Sequence, residues 1–310
     1  MMNEKKITVI GSYIVALVMD TDRLPNSGET LMARNYHSAH GGKGSNQAIQ
    51  AARLGSKVRF VTKVGDDPAG EEFKLLCAAE KIDTSYVYTD STRPTATGFI
   101  ICSSSGHNMI TIDIAALSNL TKEEIDKALE CVSVGDIVLL QLEILFDIAY
   151  YAAKRAKEHG ATVILNPAPA VDMRGYDLSV FDFLTPNETE ARICVGLPVD
   201  NSAEHSEIAA MLVDMGCPNV IITVGDKGAL YQDCNGYKSF SPYQLEKVVD
   251  STGAGDAFNA ALATALSENM AIDEGICFAN AVAAVACTKN DTIPSYETRE
   301  NVLAFMAKYQ

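Results

Sequence analysis

The 310-residue chain is short of positive charge. Its 25 Lys and Arg stand against 40 Asp and Glu, a formal net charge of −15, and no run of basic residues interrupts the imbalance. A polyanion would meet an opposing field, which excludes a nucleic-acid or anionic-membrane role resting on bulk charge. Paired cysteines are missing too. Cys77, Cys102, Cys131, Cys194, Cys217, Cys234, Cys277 and Cys287 are scattered without a Cys-x-x-Cys pair or a zinc-type spacing. They read as small core hydrophobes in a reducing compartment. No apolar run is long enough to span a bilayer. Lys5-Lys6 ahead of apolar residues 7–19 has the outline of a secretory leader, but Asp20, Asp22 and Arg23 follow at once with no small-residue cleavage site. The stretch is expected to be a first core strand of a cytoplasmic protein. Repeats, low-complexity tracts and linker-like segments are absent, so residues 1–310 are expected to form a single domain. The usual nucleotide fingerprints are absent as well. There is no Gly-x-Gly-x-x-Gly, and Gly44 stands where a Walker A lysine must be followed by Ser or Thr.

What is present is a foldable α/β pattern, with 47% hydrophobic and 21% charged residues. Short β-rich runs at 7–11, 58–63, 137–140, 162–165, 181–184 and 220–223 have the unbroken apolar character of buried parallel strands. Helical stretches at 43–54, 69–79, 122–131, 144–159, 188–194 and 203–215 alternate with them, several stopping at Gly. That alternation predicts a doubly wound, mostly parallel sheet. Two pairs of extended ribbons, 13–19 with 30–39 and 97–102 with 109–114, have no helix between them; the second pair is joined by the polar turn 103–108. They predict a small β-sheet lid formed from about 13–39 and 97–114. After Ser251 the chain turns helical, with Ala-rich runs at 254–267 and 273–287.

Two clusters carry chemistry. Asp250-Ser-Thr-Gly-Ala-Gly-Asp256 opens the first Ala-rich run. The small residues Gly253, Ala254 and Gly255 let successive N–H groups turn inward at a helix N-terminus, an anion site suited to a phosphate in flight. Asp256 beside that site would repel a resting phosphate, yet it suits a base that takes a proton from an attacking hydroxyl. A glycine turn with an aspartate cap has the same outline. Gly41-Gly-Lys-Gly-Ser-Asn-Gln47 lies between an extended segment and a helix. Its bare backbone with Lys43 and Asn46 suits a polyhydroxylated ligand approached through the main chain. A flexible turn with a solvated lysine is the plainer account. His37 and His40 have metal-like spacing but no carboxylate in register, and are expected to be polar strand residues.

Six motifs in order, Gly41-Gly-Lys-Gly-Ser-Asn-Gln-Ala48, Val64-Gly-Asp-Asp67, Leu140-Gln-Leu-Glu143, Asn166-Pro-Ala-Pro-Ala170, Thr185-Pro-Asn-Glu-Thr-Glu190 and Asp250 to Asp256, resemble the ribokinase family of PfkB-type carbohydrate kinases over essentially the whole chain. The resemblance implies an α/β sandwich with a β lid that also forms a homodimer contact. It also implies transfer of the ATP γ-phosphoryl group to a primary hydroxyl of a sugar or a nucleoside. Asp256 then corresponds to the catalytic base, and Gly253, Ala254 and Gly255 to the anion hole. Asn187 and Glu190 correspond to the residues that organise hydrated Mg²⁺, and their i, i+3 spacing puts an amide and a carboxylate on one helix face; taken alone, the pair is more often a helix-capping pattern. Thr223 and Gly225 match a phosphate-contacting turn, and Asn280 falls near adenine. Gly42, Lys43, Asn46 and Glu143 fall where the family holds ribose. Asp250, Thr252, Ala286 and Ser295 fall at a K⁺ site.

Three departures stand out. Asn290-Asp291 replaces the usual Lys-Gly beside the cation site. Gly11-Ser-Tyr-Ile-Val-Ala16 replaces the usual Gly-Ser-x-Asn-x-Asp, so Ile14 and Ala16 stand where an amide and a carboxylate receive sugar hydroxyls. Ala115-Ala-Leu117 replaces the usual Gly-Ala-Asn. An intact phosphoryl apparatus with a partly apolar acceptor side predicts a kinase of a deoxy- or modified pentose or a nucleoside. A catalytically silent sugar- or nucleotide-binding protein is the contrasting expectation, and the retained Asp256 argues against it.

Overall fold

The computed structural model describes residues 5–105 and 107–309; Gly106, in the turn expected at 103–108, lies outside the described residues. The chain opens with β1 (Ile7–Ile10), then β2 (Ile14–Thr21), β3 (Arg34–Gly41), α1 (Lys43–Arg53), β4 (Val58–Gly65), α2 (Pro68–Ala79) and β5 (Asp83–Asp90). β6 (Thr97–Ser103), β7 (Asn108–Asp113), α3 (Lys122–Leu129), β8 (Ile137–Gln141), α4 (Phe146–Glu158) and β9 (Thr162–Asn166) follow. β10 (Phe183–Leu184), α5 (Glu188–Cys194), α6 (His205–Asp214), β11 (Asn219–Thr223), β12 (Ala229–Asp233) and β13 (Gly236–Phe240) complete the sheets. Helices α7 (Ala254–Ser267), α8 (Ile272–Ala286), α9 (Thr292–Ser295) and α10 (Arg299–Met306) close the chain.

Nine strands form the main sheet in the order β13-β12-β11-β10-β9-β8-β1-β4-β5. Strands β1, β4, β5 and β8 to β11 pair in parallel, and apart from the edge strand β5 they coincide with the apolar runs expected where both faces are covered. Two core layers result. One cluster holds Ile10, Leu129, Leu140 and Leu165, and the other, with Val9, Phe60, Leu139 and Ile164, packs against the Ala-rich α7 and α8. Alanine on α7 and α8 lets the two helices approach closely, which fits a small-residue contact rather than a membrane surface. Among the described residues no helix is long and apolar enough to cross a membrane.

The second sheet has the order β3-β2-β6-β7. It is the small sheet expected from 13–39 and 97–114, with one correction. Its second strand begins at Arg34 rather than at residue 30, because 23–29 is folded into a clip by the Glu29 carboxylate, which accepts from Arg23 and from the Asn26 backbone. Three strands of the main sheet escape the sequence pattern. β5 is an edge strand with charged ends, and β12 and β13 form an antiparallel hairpin whose Asp233-Cys-Asn-Gly236 turn is held by the Asp233 carboxylate accepting from Asn235 N at 2.7 Å. The strand expected at 181–184 shrinks to two residues because Phe181 ends a 3-10 turn. The helix expected from 144 starts at Phe146. All eight cysteines carry free thiols, but Cys234 and Cys277 are exposed, so only some of the eight are core hydrophobes.

Candidate functional site

The site lies where the β8 and β9 C-termini, the N-terminus of α1 and the N-terminus of α7 converge. Gly253 is the N-cap of α7 with φ of +80°. Left-handed backbone favours glycine, and here space forbids anything else: a Cβ would lie 2.3 Å from Thr292 Cγ2 and 2.7 Å from the Tyr296 hydroxyl. Tyr296, fully buried, donates to the Gly253 carbonyl at 3.1 Å. The same carbonyl accepts the helical bond from Ala257 N at 2.9 Å, and Ala254 N donates to Ser251 O at 3.2 Å, so of the expected anion-hole donors Ala254 is already bonded.

Asp256 follows in that first turn and is 5% exposed. Its carboxylate accepts from Asn46 Nδ2 at 2.8 Å and from Gln47 Nε2 at 2.9 Å, so two side chains of α1 reach across to the start of α7. Asp256, Gly253 and Gly255 line a small polar cavity of about 160 Å³ with Lys43, Asn187 and Glu190. A larger cleft of about 700 Å³ adjoins it, lined by Thr223, Gly225, Ala254 and Asn280 among others. Asn187, Thr223 and Gly255 border both, so the two spaces meet beside the first turn of α7.

Asn187 and Glu190 make a complete capping box on α5: Asn187 Oδ1 accepts from Glu190 N and Glu190 Oε2 accepts from Asn187 N, each at 2.8 Å. The capping pattern and the cavity position coexist, because one carboxylate oxygen makes the cap while the residue still lines the cavity. Burial raises the Glu190 carboxyl above its ordinary range, and burial likewise raises Glu143. Lys43 moves the same way for the opposite reason. Burial would lower its ammonium, but the carboxylates of Asp256, Glu143 and Glu190 outweigh that and raise it.

On the acceptor side Gly42 is the N-cap of α1, and Glu143 Oε2 accepts from Ser12 Oγ at 2.5 Å and from Lys43 N at 2.7 Å. Ser12 was not singled out by the motifs, although it is the residue that ties the end of β1 to Glu143. Ile14 and Ala16 occupy one face of β2, Ile14 with Gly98 and Ile112 close by. Ile14 is 4% exposed and belongs to the core cluster that also holds Ala96, Leu117 and Leu142. Ala115, where glycine is usual in the family, has φ of +39°, a backbone conformation strained for a residue with a Cβ.

The expected cation residues lie on the segments that flank the start of α7. Asp250 Oδ1 accepts from Thr252 N at 2.9 Å and Oδ2 from Asp291 N at 3.3 Å. Val249 N donates to the Cys287 carbonyl next to Ala286, and Ser295 is fully buried with its hydroxyl on Thr292 O. His37 and His40 lie on β3 and bond Asn35 O and the Tyr13 hydroxyl. Among the described residues no group of three His, Cys, Asp or Glu is placed to hold a metal ion directly. Gln47, Gln141, Asn166, Thr185 and Asn259 form a buried polar network around Asp256 that sequence reasoning did not assign. A glutamine closing the apolar run of β8 was the available signal.

A buried carboxylate in the first turn of a helix, on a mostly parallel sheet accompanied by a small four-stranded sheet, is the arrangement of a phosphotransferase of the sugar-kinase class with an alcohol acceptor. Residues 4–299 match the pfkB family carbohydrate kinase. The chain belongs to that family. It is 37% identical over 302 residues to a ribokinase of Haemophilus influenzae, covering 97% of this chain and 98% of the relative. It is 36% identical over 304 residues to a deoxyribokinase of Salmonella typhi, with the same coverage. The structure of an Arabidopsis thaliana ribokinase complexed with ribose and ATP superposes with a TM-score of 0.84 at 30% identity, covering 98% of this chain and 99% of that one.

Proposed function

We propose that this protein phosphorylates a pentose at a primary hydroxyl with ATP, and that its preferred acceptor lacks a hydroxyl on the side facing β2. The observation that carries the reading is the Asp256 carboxylate, held by two amide donors beside the N-terminus of α7. Asp256 removes the proton of the acceptor hydroxyl as its oxygen attacks the γ-phosphorus. The bond to the bridging β–γ oxygen breaks, and ADP leaves. Gly253, Ala254 and Gly255 receive the charge that develops on the transferred group. Gly42, Lys43, Asn46 and Glu143 hold acceptor hydroxyls, while Thr223 and Gly225 contact the phosphates and Asn280 borders the adenine. Asn187 and Glu190, which line the small cavity with an amide and a carboxylate, fit a Mg²⁺ ion held through water. That ion, when bound, would neutralise phosphate charge. Asp250, Thr252, Ala286 and Ser295 are assigned to K⁺.

Ile14 and Ala16 favour the deoxy- or modified pentose over ribose, and relatives bearing both ribokinase and deoxyribokinase names support a pentose acceptor of either kind. A nucleoside acceptor is the second reading, but Tyr13 gives its base no surface, because that ring is buried, stacked on Phe73 at 3.9 Å and bonded through its hydroxyl to His40. The small sheet is taken as a lid on one continuous unit over residues 1–310. Its exposed Phe99, Met109, Ile110 and Ile112 suit pairing with a second copy, and sedimentation as a monomer at every concentration would remove that part. The eight free thiols suit a cytoplasmic location. The test is ATP consumption over ribose, 2-deoxyribose and a set of nucleosides. Equal or better turnover of ribose would overturn the acceptor assignment, and no turnover of any of them would overturn the kinase reading.

A further inference from the structure

The amides that grip Asp256 have a chemistry of their own, and what they do for the reaction rests on the role just assigned to that residue. An ionised carboxylate can only accept hydrogen bonds, so both amides that touch it must turn their NH₂ groups towards it. Gln47 is fully buried on α1, and its carboxamide has two senses that differ only in which end faces Asp256. In the observed sense its Nε2 is 2.9 Å from Asp256 Oδ1. The opposite end holds the amide in the same sense, because Gln47 Oε1 accepts from Gln141 Nε2 at 2.5 Å.

Gln141 is the last residue of β8, fully buried, and contributes to neither cavity. Its Oε1 has no hydrogen-bond partner among the described residues and lies against Gly11, where a Cβ would be 1.9 Å away. An orphaned buried oxygen is costly, and an apolar side chain of the same length would avoid that cost. The amide is therefore accounted for by its donor. From Gln47 the network runs on. Nε2 also donates to Asn166 Oδ1, Asn166 donates to Thr185 O, the Thr185 hydroxyl donates to Asn259 Oδ1, and Asn259 donates to the carbonyl of Gly255. The circuit closes one residue before Asp256, so it grips the base by both its carboxylate and its backbone.

We propose that Gln141 is a positioning residue for the base: it sets the sense of the Gln47 amide, and through it the polarity of the buried circuit that aims Asp256. The test compares Gln141→Met, Gln141→Glu and Asp256→Asn, alone and combined, in steady-state kinetics on whichever acceptor the panel identifies. Gln141→Met should lower kcat about 5- to 50-fold with both KM values within about twofold, since only an interaction with the reacting base is lost. In the Asp256→Asn background the same change should cost less than about twofold, because a neutral amide at position 256 meets either sense of Gln47. Should the Met variant not fold, Gln141→Glu reads the same coupling. A neutral acid donates to Gln47 and a carboxylate cannot, so its deficit should grow as pH rises, whereas a packing defect gives a constant ratio. A kcat within twofold of the parent, an undiminished cost in the Asp256→Asn background, or a pH-independent deficit of Gln141→Glu would each overturn the proposal. Asp256→Asn retaining more than half of the parent turnover would instead overturn the reading of Asp256 as base.

Discussion

Replacing Ile14 by Asn tests the acceptor assignment through stability as well as turnover. The side chain is 4% exposed within a core cluster, so the substitution removes buried alkyl surface worth about 1.5–3 kcal/mol. It also buries a carboxamide that lacks a partner until a sugar arrives, at a cost of about 1–3 kcal/mol. Together these take a large part of a native stability of about 5–15 kcal/mol. At about 2–4 °C per kcal/mol the melting temperature should fall by roughly 5–24 °C. A ligand at 100 times its dissociation constant restores about 2.7 kcal/mol. The companion change Ala16→Asp adds an acceptor on the same strand face. The double variant should therefore be unstable alone, should regain a substantial part of the loss in saturating ribose, and should regain less in 2-deoxyribose. Its kcat/KM ratio for ribose over 2-deoxyribose should rise about 10-fold or more, since one recovered polar contact is worth about a factor of ten. Differential scanning fluorimetry with each sugar, followed by coupled kinase assays, makes the comparison. Equal recovery by both sugars would show that β2 does not face the distinguishing hydroxyl, and the reasoning from Ile14 would fail.

Glu190→Gln should raise the Mg²⁺ concentration for half-maximal rate several-fold while keeping the α5 cap, because Gln can still accept from Asn187 N; a Mg²⁺ titration unchanged from the parent would limit Glu190 to the cap. Potassium should stimulate turnover relative to tetramethylammonium if Asp250 retains lone pairs beyond those taken by Thr252 N and Asp291 N, and equal rates in the two cations would remove the site. Ala115→Gly should stabilise the fold by about 1 kcal/mol by relieving a strained left-handed backbone, read as a higher denaturation midpoint at unchanged slope. A lower midpoint would mean that the buried Ala115 methyl matters more than the strain.

The central parallel strands were legible because both of their faces are covered, and such strands must be apolar throughout. Edge strand β5 and the β12-β13 hairpin were hidden by the same physics, since a strand open on one side tolerates charge and alternation. The small sheet was legible from ribbons without an intervening helix, but the clip at 23–29 was not, because it depends on where one glutamate side chain turns. In the proposed site, the helix start of small residues followed by a carboxylate could be read from local chemistry, while its role remains the proposal made above. Asn187 and Glu190 could be read as a cap or as a cavity pair, and only the folded chain shows one residue pair in both positions.

What the sequence determined by itself was therefore whatever is local in character: strand and helix composition, the glycine turn at 253, and the order of the motifs along the chain. The tertiary structure alone decided which side chains from distant segments share one volume. Gln47 and Asp256 lie 209 positions apart in the chain, yet with Gln141, Asn166 and Asn259 they form one hydrogen-bonded circuit. Burial is the physical reason. A polar side chain shut away from water must find its partners wherever packing puts them, and packing follows the fold rather than sequence neighbourhood.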